Sequence, residues 1–404
     1  MFSENRKRKL MTSDPIVITG AARTPMGGLS GELGQIGAPE LGSVAIAEAV
    51  NRSNISADQI DDVVMGVVLP AGQGQAPARQ ASMGAGIPAN IGATTINKMC
   101  GSGMKSIMLA CDNILAGSNN IMVAGGMESM TNAPYLLPNV RSGMRMGHGE
   151  VQDHMFIDGL EDAFEKGTLM GVYAEATAQH YQFTRESQDE FALRSLKRAK
   201  KAIADGTFER EIAPVRVETR KGESIVSNDE QPGNAVPEKI PSLRPAFAKN
   251  GSVTAANSSS ISDGAAALVL MKKSEAEKRN IAPRAIIQSH ASHAQEPQWF
   301  TTAPIGAINK LLKKIGWEKD EVDLYEINEA FAVVTMAAMH DLNLSEKKVN
   351  VHGGACALGH PVGASGARIV VTLLNALEKY NMRKGVASLC IGGGEATAIA
   401  IERM

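Results

Sequence analysis

Asn97-Lys98-Met99-Cys100-Gly101-Ser102-Gly103 stands where a strand pattern over residues 93–98 gives way to a helix pattern from about Gly103 to Leu115. An apolar strand follows, Ile121-Met122-Val123-Ala124, closed by Gly125-Gly126-Met127-Glu128. The scheme recurs near the C-terminus. Gly363-Ala364-Ser365-Gly366 opens a helix to about Leu377, and strand patterns at 386–391 and 396–401 flank Gly392-Gly393-Gly394-Glu395. Ser102 to Glu128 and Ser365 to Glu395 are near-equal separations, so the two stretches superpose as an internal duplication would. Strand–helix alternation of this kind marks βαβ units and predicts a largely parallel sheet.

Working outward, Ile16-Val17-Ile18-Thr19 reads as a buried strand ending at Gly20, and residues 39–50 as a helix with Leu41, Val44, Ala45 and Ala49 on one face. Val63 to Leu69 reads as another strand. In the C-terminal third the pattern predicts a helix at 304–315, a strand at 322–327, a buried helix at 329–340 and a strand from Val349 to Val351. Residues 130–260 differ, being rich in Met, Gly, Pro and charge. One amphipathic helix interrupts them, from an N-cap at Thr184 to about Asp205, with Ala192, Leu196, Ala199 and Ile203 on one side. Its other side carries Arg194, Lys197, Arg198, Lys200 and Lys201, read as a solvated face rather than a landing surface for a phosphorylated ligand. The segment reads as a large insertion over one face of the core.

Composition bounds the function. In 404 residues, 44% hydrophobic and 21% charged content excludes disorder as the main state and implies more than one packed lobe. Lys+Arg 41 against Asp+Glu 43 leaves a net charge of -2, which supplies no basic field for nucleic acid. No apolar run approaches the roughly 18 residues of a membrane span. Four Cys match neither a disulfide scaffold nor a zinc motif, and His148, His154 and His352 are not spaced as a metal set. Gly20-Ala21-Ala22 is followed by Arg23-Thr24-Pro25, which breaks the helix opening a nicotinamide site requires. Arg6-Lys7-Arg8-Lys9 reads as a disordered basic tail or an upstream start without a secretory signal, placing the protein in the cytoplasm.

Cys100 sits on a Gly-flanked turn at a helix start, where free N–H groups and the macrodipole favour a thiolate. Gly359-His360-Pro361 occupies the matching turn of the second half, so packing about a pseudo-twofold axis brings His360 towards Cys100. Cys390 ends a strand before Gly392, while Cys111 reads as core. Asn328, in Asn328-Glu329-Ala330-Phe331-Ala332, stands at a predicted helix start, where it is either an N-cap or a group that orients a water or oxyanion. Spacing leaves two readings open: a Cys–His–Asn thiol hydrolase, or acyl transfer with one Cys as nucleophile and the other as acid/base.

The chain resembles the thiolase family from about Pro15 to its C-terminus, through the Cys100 block, Gly125-Gly126-Met127-Glu128-Ser129-Met130, the Asn328 motif, Gly359-His360-Pro361 and the Cys390 block. The resemblance is strongest to the members that join two acetyl groups. It implies a five-layered α/β/α/β/α core from two duplicated halves: residues 12–132, completed by about 261–284, and residues 285–404. An inserted loop domain, 133–260, binds coenzyme A. It implies reversible condensation of two acetyl-CoA to acetoacetyl-CoA and CoA, in fatty acid metabolism, by a homodimer or homotetramer with no metal or other cofactor.

Cys100 is then the acylated nucleophile, His360 its activator and Cys390 the α-proton acid/base. Asn328 with His360, and the N–H groups of Cys100 and Gly392, form two oxyanion holes. Leu169, Met170, Phe247, Ala255 and Ser259 match CoA contacts, and Ala330 and Phe331 wall the acyl pocket. The chain departs from the common pattern at Ala256-Asn257-Ser258-Ser259-Ser260, where many members read Gly-Asn-Ala-Ser-Gly. It departs also at His352, where Asn is common, at Leu169, which is His in some members, and near Gln231–Asn234, where the adenine-side Arg is missing. A 3-ketoacyl-CoA thiolase of broader chain length is the nearest alternative. The ketoacyl synthases are set aside by the Cys390 block, and a silent CoA-binding relative by the presence of Cys100, His360 and Cys390 together.

Overall fold

The computed structural model describes residues 14–219 and 222–404; the basic run at 6–9 lies outside them. Nine strands of a ten-stranded sheet carry the core. They are β1 (Ile16–Arg23), β2 (Asp62–Gly66), β3 (Gly92–Ile96), β4 (Ile121–Ser129) and β5 (Ser262–Lys272). The rest are β6 (Ala285–Ala294), β7 (Leu324–Ile327), β8 (Lys384–Ile391) and β9 (Glu395–Arg403). The short tenth, Gly27–Gly28, pairs with β5. The main helices are α1 (Ala38–Arg52), α2 (Pro77–Gly84), α3 (Ser102–Ala116) and α4 (Met170–Tyr181). They continue with α5 (Arg185–Ala204), α6 (Ala303–Ile315), α7 (Ala332–Asp341) and α8 (Val362–Lys379).

The strand order is β7-β8-β9-β6-β1-β5-β4-β2-β3. Only β2–β3, β2–β4 and β7–β8 are parallel, and the central pairings are antiparallel. The expectation of a largely parallel sheet is therefore corrected. The reason lies in β5 and β6, which enter the sheet centre after the insertion and reverse the direction of their neighbours. The β1–β6 ladder has only two residue pairs, Val17 with Ile286 and Ile18 with Ala285, so the sheet is two half-sheets joined at a narrow seam.

Side-chain alternation along each strand sets the layers, since successive residues face opposite sides. In β5, Ala265, Ala267, Val269 and Met271 face α1 and α2, while Ala266, Leu268 and Leu270 face α3 and α8. In β9, Ile399 and Ile401 join that same central core, and Ala396, Ala398 and Ala400 face α6. The order is helix, sheet, helix, sheet, helix, with α3 and α8 in the middle. Accordingly α8 is buried on every side from Val362 to Leu377, as a helix between two sheets must be.

Several elements differ from the sequence reading. Helix α2 and strands β5 and β6 had no counterpart in it. Val349–Val351 is not a strand: Val349 makes one isolated bridge to Tyr325. The insertion holds α4 as well as α5. Helix α5 starts where predicted, with the Thr184 hydroxyl accepting the Ser187 N–H at 3.2 Å. Its basic side is not simply solvated, because Arg198 donates to the carbonyls of Glu346, Val349 and Asn350 and Arg194 pairs with Glu346. The insertion is also pinned to β1 from beneath, by buried Arg23 bonded to Glu211 at 2.6 Å and Asp229 at 2.7 Å. Among the described residues no helix is long and apolar enough to cross a membrane.

Candidate active site

The first turns of α3 and α8 touch, and that contact builds the site. A Cβ on Gly103 would lie 2.8 Å from the Ala367 nitrogen, and one on Gly366 would overlap the Met104 backbone. Only residues without side chains allow the two helix starts this close, so the turns before them, carrying Cys100 and His360, meet across the duplication.

Met99, directly before Cys100, adopts a left-handed conformation, φ 49°, which for an ordinary side chain is strained. Hydrogen bonds hold it there: Asn97 accepts the Met99 N–H at 2.8 Å, and the Ser102 hydroxyl donates to the Met99 carbonyl at 2.6 Å. Cys100 is partly exposed on a cavity of about 370 Å³. The N–H groups of Gly392 and of Cys100 itself face its sulfur and favour the thiolate, but burial outweighs them and, with Glu128 nearby, pushes the thiol up to about 11. The helix-start N–H groups thus favour the thiolate without overcoming burial, which leaves deprotonation of Cys100 to a base.

His360 is buried, which, with the Arg368 charge in second place, holds it down to about 3, so the ring is neutral at ordinary pH. Its Nδ1 lies 2.6 Å from the Ser365 hydroxyl, its Nε2 is 3.5 Å from Asn328 Nδ2, and its backbone N–H donates to Ser260 O at 3.1 Å. Asn328 is not a helix N-cap: it lies between β7 and α7, its N–H on Ser388 O at 3.0 Å, while Phe331 takes the position before α7. Among the described residues its buried Oδ1 has no partner, which suits it to hold a water.

Cys390 is the next-to-last residue of β8 and packs in the cluster that holds Phe300 and Phe331. Burial, reinforced by Cys100, raises its thiol well above the ordinary value. Glu128 accepts the N–H groups of Val68 at 2.9 Å, Leu69 at 3.1 Å and Gly363 at 2.9 Å, clamping the N-terminal half to the turn after His360; burial lifts it to about 7.

The structure brings together on the cavity wall Cys100, His360, Gly392, Leu169, Met170 and Phe247, with Ala255, Ser259, Ala330 and Phe331 beside them. Cys390 and Asn328 are buried, Cys390 clustered with the wall residues Met170, Phe247, Ala330 and Phe331, and Asn328 beside His360. Ser259 is fixed by donating from both its N–H and its hydroxyl to Ala330 O, each at 2.9 Å, which ties the insertion's last loop to the Asn328 motif. The sequence reading missed Phe156 and Leu160, on a single π-helical turn of the insertion, and Phe300, Ile261 and Val362. Val362 follows His360-Pro361 directly, the one local signal that pointed to it. Among the described residues no three His, Cys, Asp or Glu side chains are grouped to hold a metal ion.

The family description Thiolase, N-terminal domain, matches residues 16–274, and Thiolase, C-terminal domain, matches residues 281–403. The chain belongs to the thiolase family. This thiolase is accordingly an acyltransferase. It is 46% identical over 390 residues to the acetyl-CoA acetyltransferase of Cupriavidus necator, covering 96% of this chain and 99% of that one. It is 49% identical over 390 residues to acetyl-CoA acetyltransferase 2 of Arabidopsis thaliana, covering 96% of each. Among solved structures, the Bacillus anthracis acetyl-CoA acetyltransferase superposes with TM-score 0.94 at 40% identity, over 97% of this chain and 99% of that one. The Ascaris suum Acat5 thiolase in complex with coenzyme A superposes with TM-score 0.91 at 42% identity, over 96% of this chain and 100% of that one.

Proposed function

We propose that this thiolase is an acetyl-CoA C-acetyltransferase working by a ping-pong route through acetyl-Cys100. The supporting observation is the convergence of Cys100, neutral His360 and the Gly392 N–H on one largely apolar cavity, with Cys390 and Asn328 packed beside its wall residues. The insertion 133–260, with Leu169, Met170, Phe247, Ala255 and Ser259, is the CoA-binding part, and 12–132 (with 261–284) and 285–404 are the two catalytic halves. CoA is substrate and product, and neither a metal nor a second cofactor takes part.

His360 Nε2 takes the Cys100 proton, and the thiolate attacks the thioester carbonyl, whose oxyanion meets the N–H groups of Cys100 and Gly392. Cys390 gives its proton to the departing CoA sulfur and is left as a thiolate. It then removes the α-proton of a second acetyl-CoA, and the enolate oxygen is held by protonated His360 and an Asn328-bound water. The enolate carbon attacks acetyl-Cys100. The released Cys100 sulfur recovers its proton from His360, which returns every group to its starting state.

Thiolysis of acetoacetyl-CoA, followed by its ultraviolet enolate absorbance, tests this. Loss of absorbance should be far faster with free CoA than without, and equal rates would favour a thiol hydrolase. With Cys390→Ala, acetyl-Cys100 should still form while condensation fails. Comparable cleavage of longer 3-ketoacyl-CoA substrates would move the reading to a broader 3-ketoacyl-CoA thiolase. A homodimer or homotetramer in the cytoplasm remains part of the proposal, to be checked by light scattering and fractionation.

A further inference from the structure

We propose that Ser365 is the positioning residue of the active-site imidazole, fixing His360 as the tautomer with its proton on Nδ1 and its lone pair on Nε2; this rests on the acyl-transfer reading above. Ser365 is fully buried in the first turn of α8, five residues after His360, and lies 2.6 Å from Nδ1. A serine hydroxyl carries one proton. Ser365 Oγ is 3.0 Å from the Pro361 carbonyl, an acceptor only, and donates there. Its lone pair therefore takes the Nδ1–H. On the other side of the ring, Asn328 Nδ2, a donor, lies 3.5 Å from Nε2, an arrangement that suits a lone pair on that nitrogen. Both contacts agree with one tautomer, and His360 lines the same cavity as Cys100, where an unprotonated Nε2 can serve as the base.

The arrangement is rigid because each partner is anchored. Pro361 fixes the backbone before α8, and its carbonyl also accepts the N–H groups of Ala364 at 2.9 Å and Ser365 at 3.0 Å. Glu128 holds the Gly363 N–H at 2.9 Å from the opposite half of the molecule. In the opposite tautomer an Nε2–H would face the Asn328 amide N–H, and Nε2 would have no lone pair with which to accept a proton. Once Nε2 accepts the Cys100 proton, Nδ1–H remains on Ser365, so the proton acquired is always the one at Nε2 and always the one returned.

The test uses the full-length enzyme with 15N-labelled histidine, the His360 signals being assigned by their loss in His360→Ala. The wild type should show a protonated Nδ1 and an unprotonated Nε2; protonation at Nε2 instead would overturn the proposal. Ser365→Ala should slow acetylation of Cys100 by about 10²-fold, with KM for acetyl-CoA little changed, and Ser365→Thr should recover most of the rate. Acetylation by the Ala variant at the wild-type rate would also overturn it. If Ser365→Ala does not fold, the wild-type tautomer decides alone. If Cys100 is not acetylated even in the wild type, the acyl-transfer reading fails while the tautomer measurement still judges the role of Ser365.

Discussion

Cys100 and His360 are perturbed in opposite directions by the same cause: burial penalises the charged form of each, pushing the thiol up to about 11 and the imidazole down to about 3. Their resting state is a neutral pair, and the thiolate fraction of Cys100 grows as pH rises towards the upper value. Alkylation of Cys100 by iodoacetamide in the free enzyme should therefore keep accelerating through pH 9. A plateau below pH 8 would mean a preformed thiolate–imidazolium pair. Met99, at φ 49°, tests the turn itself. Met99→Gly relieves a strain of about 1–3 kcal/mol, so melting temperature should hold or rise while acetylation of Cys100 slows; unchanged acetylation would show that the strained turn does not aim the nucleophile. That Cys100 and His360 would meet at one cavity, with Cys390 near it, was legible because all three stand at or close to element ends next to glycines. Phe156, Leu160 and Phe300 were not, since apolar residues in short irregular turns carry no periodic signal and reach the cavity only through the tertiary fold.

Helices α3 and α8 were legible to within a residue or two, because each pairs a small-residue start with a long apolar pattern. Strands β5 and β6 were not recognised, and a run buried on both faces, such as Ala265-Ala266-Ala267-Leu268-Val269-Leu270, has the same sequence whether its neighbours are parallel or antiparallel. The α3–α8 crossing makes its own prediction. Gly366→Ala drives a methyl into the Met104 backbone, which cannot step aside, so it should destabilise by about 1–3 kcal/mol and abolish acetylation together. An active, fully stable variant would contradict the packing.

His352, just after the would-be strand at 349–351, is boxed by Phe208 and Tyr380 with neither ring nitrogen bonded among the described residues, and burial, with Lys379 adding to it, holds it down to about 4. The unfolded chain takes up its proton near the ordinary value of about 6.5, so the stability this histidine lends is complete above that pH and drains away as pH falls. The loss amounts to about 3 kcal/mol by pH 4. His352→Asn should flatten the fall in melting temperature between pH 6.5 and 4.5, and an unchanged slope would place that titration elsewhere.

For the molecule as a whole, the duplication was readable from two pairs of motifs, but the seam was not. Two half-sheets share only the short β1–β6 ladder, and what binds them is the pair of central helices packed between, with Glu128 and the Lys98–Glu395 ion pair crossing from one half to the other. On the proposed reading neither half alone surrounds a thioester: the first contributes Cys100, and the second His360, Cys390 and the Gly392 N–H. Peptide mapping by mass spectrometry after a rapid quench with acetyl-CoA tests that division most directly. A single acetyl group on the peptide containing Cys100, discharged when CoA is added and lost in His360→Ala, is the predicted result. Acetyl carried instead by Cys390, Cys356 or Cys111, or by no cysteine, would contradict it.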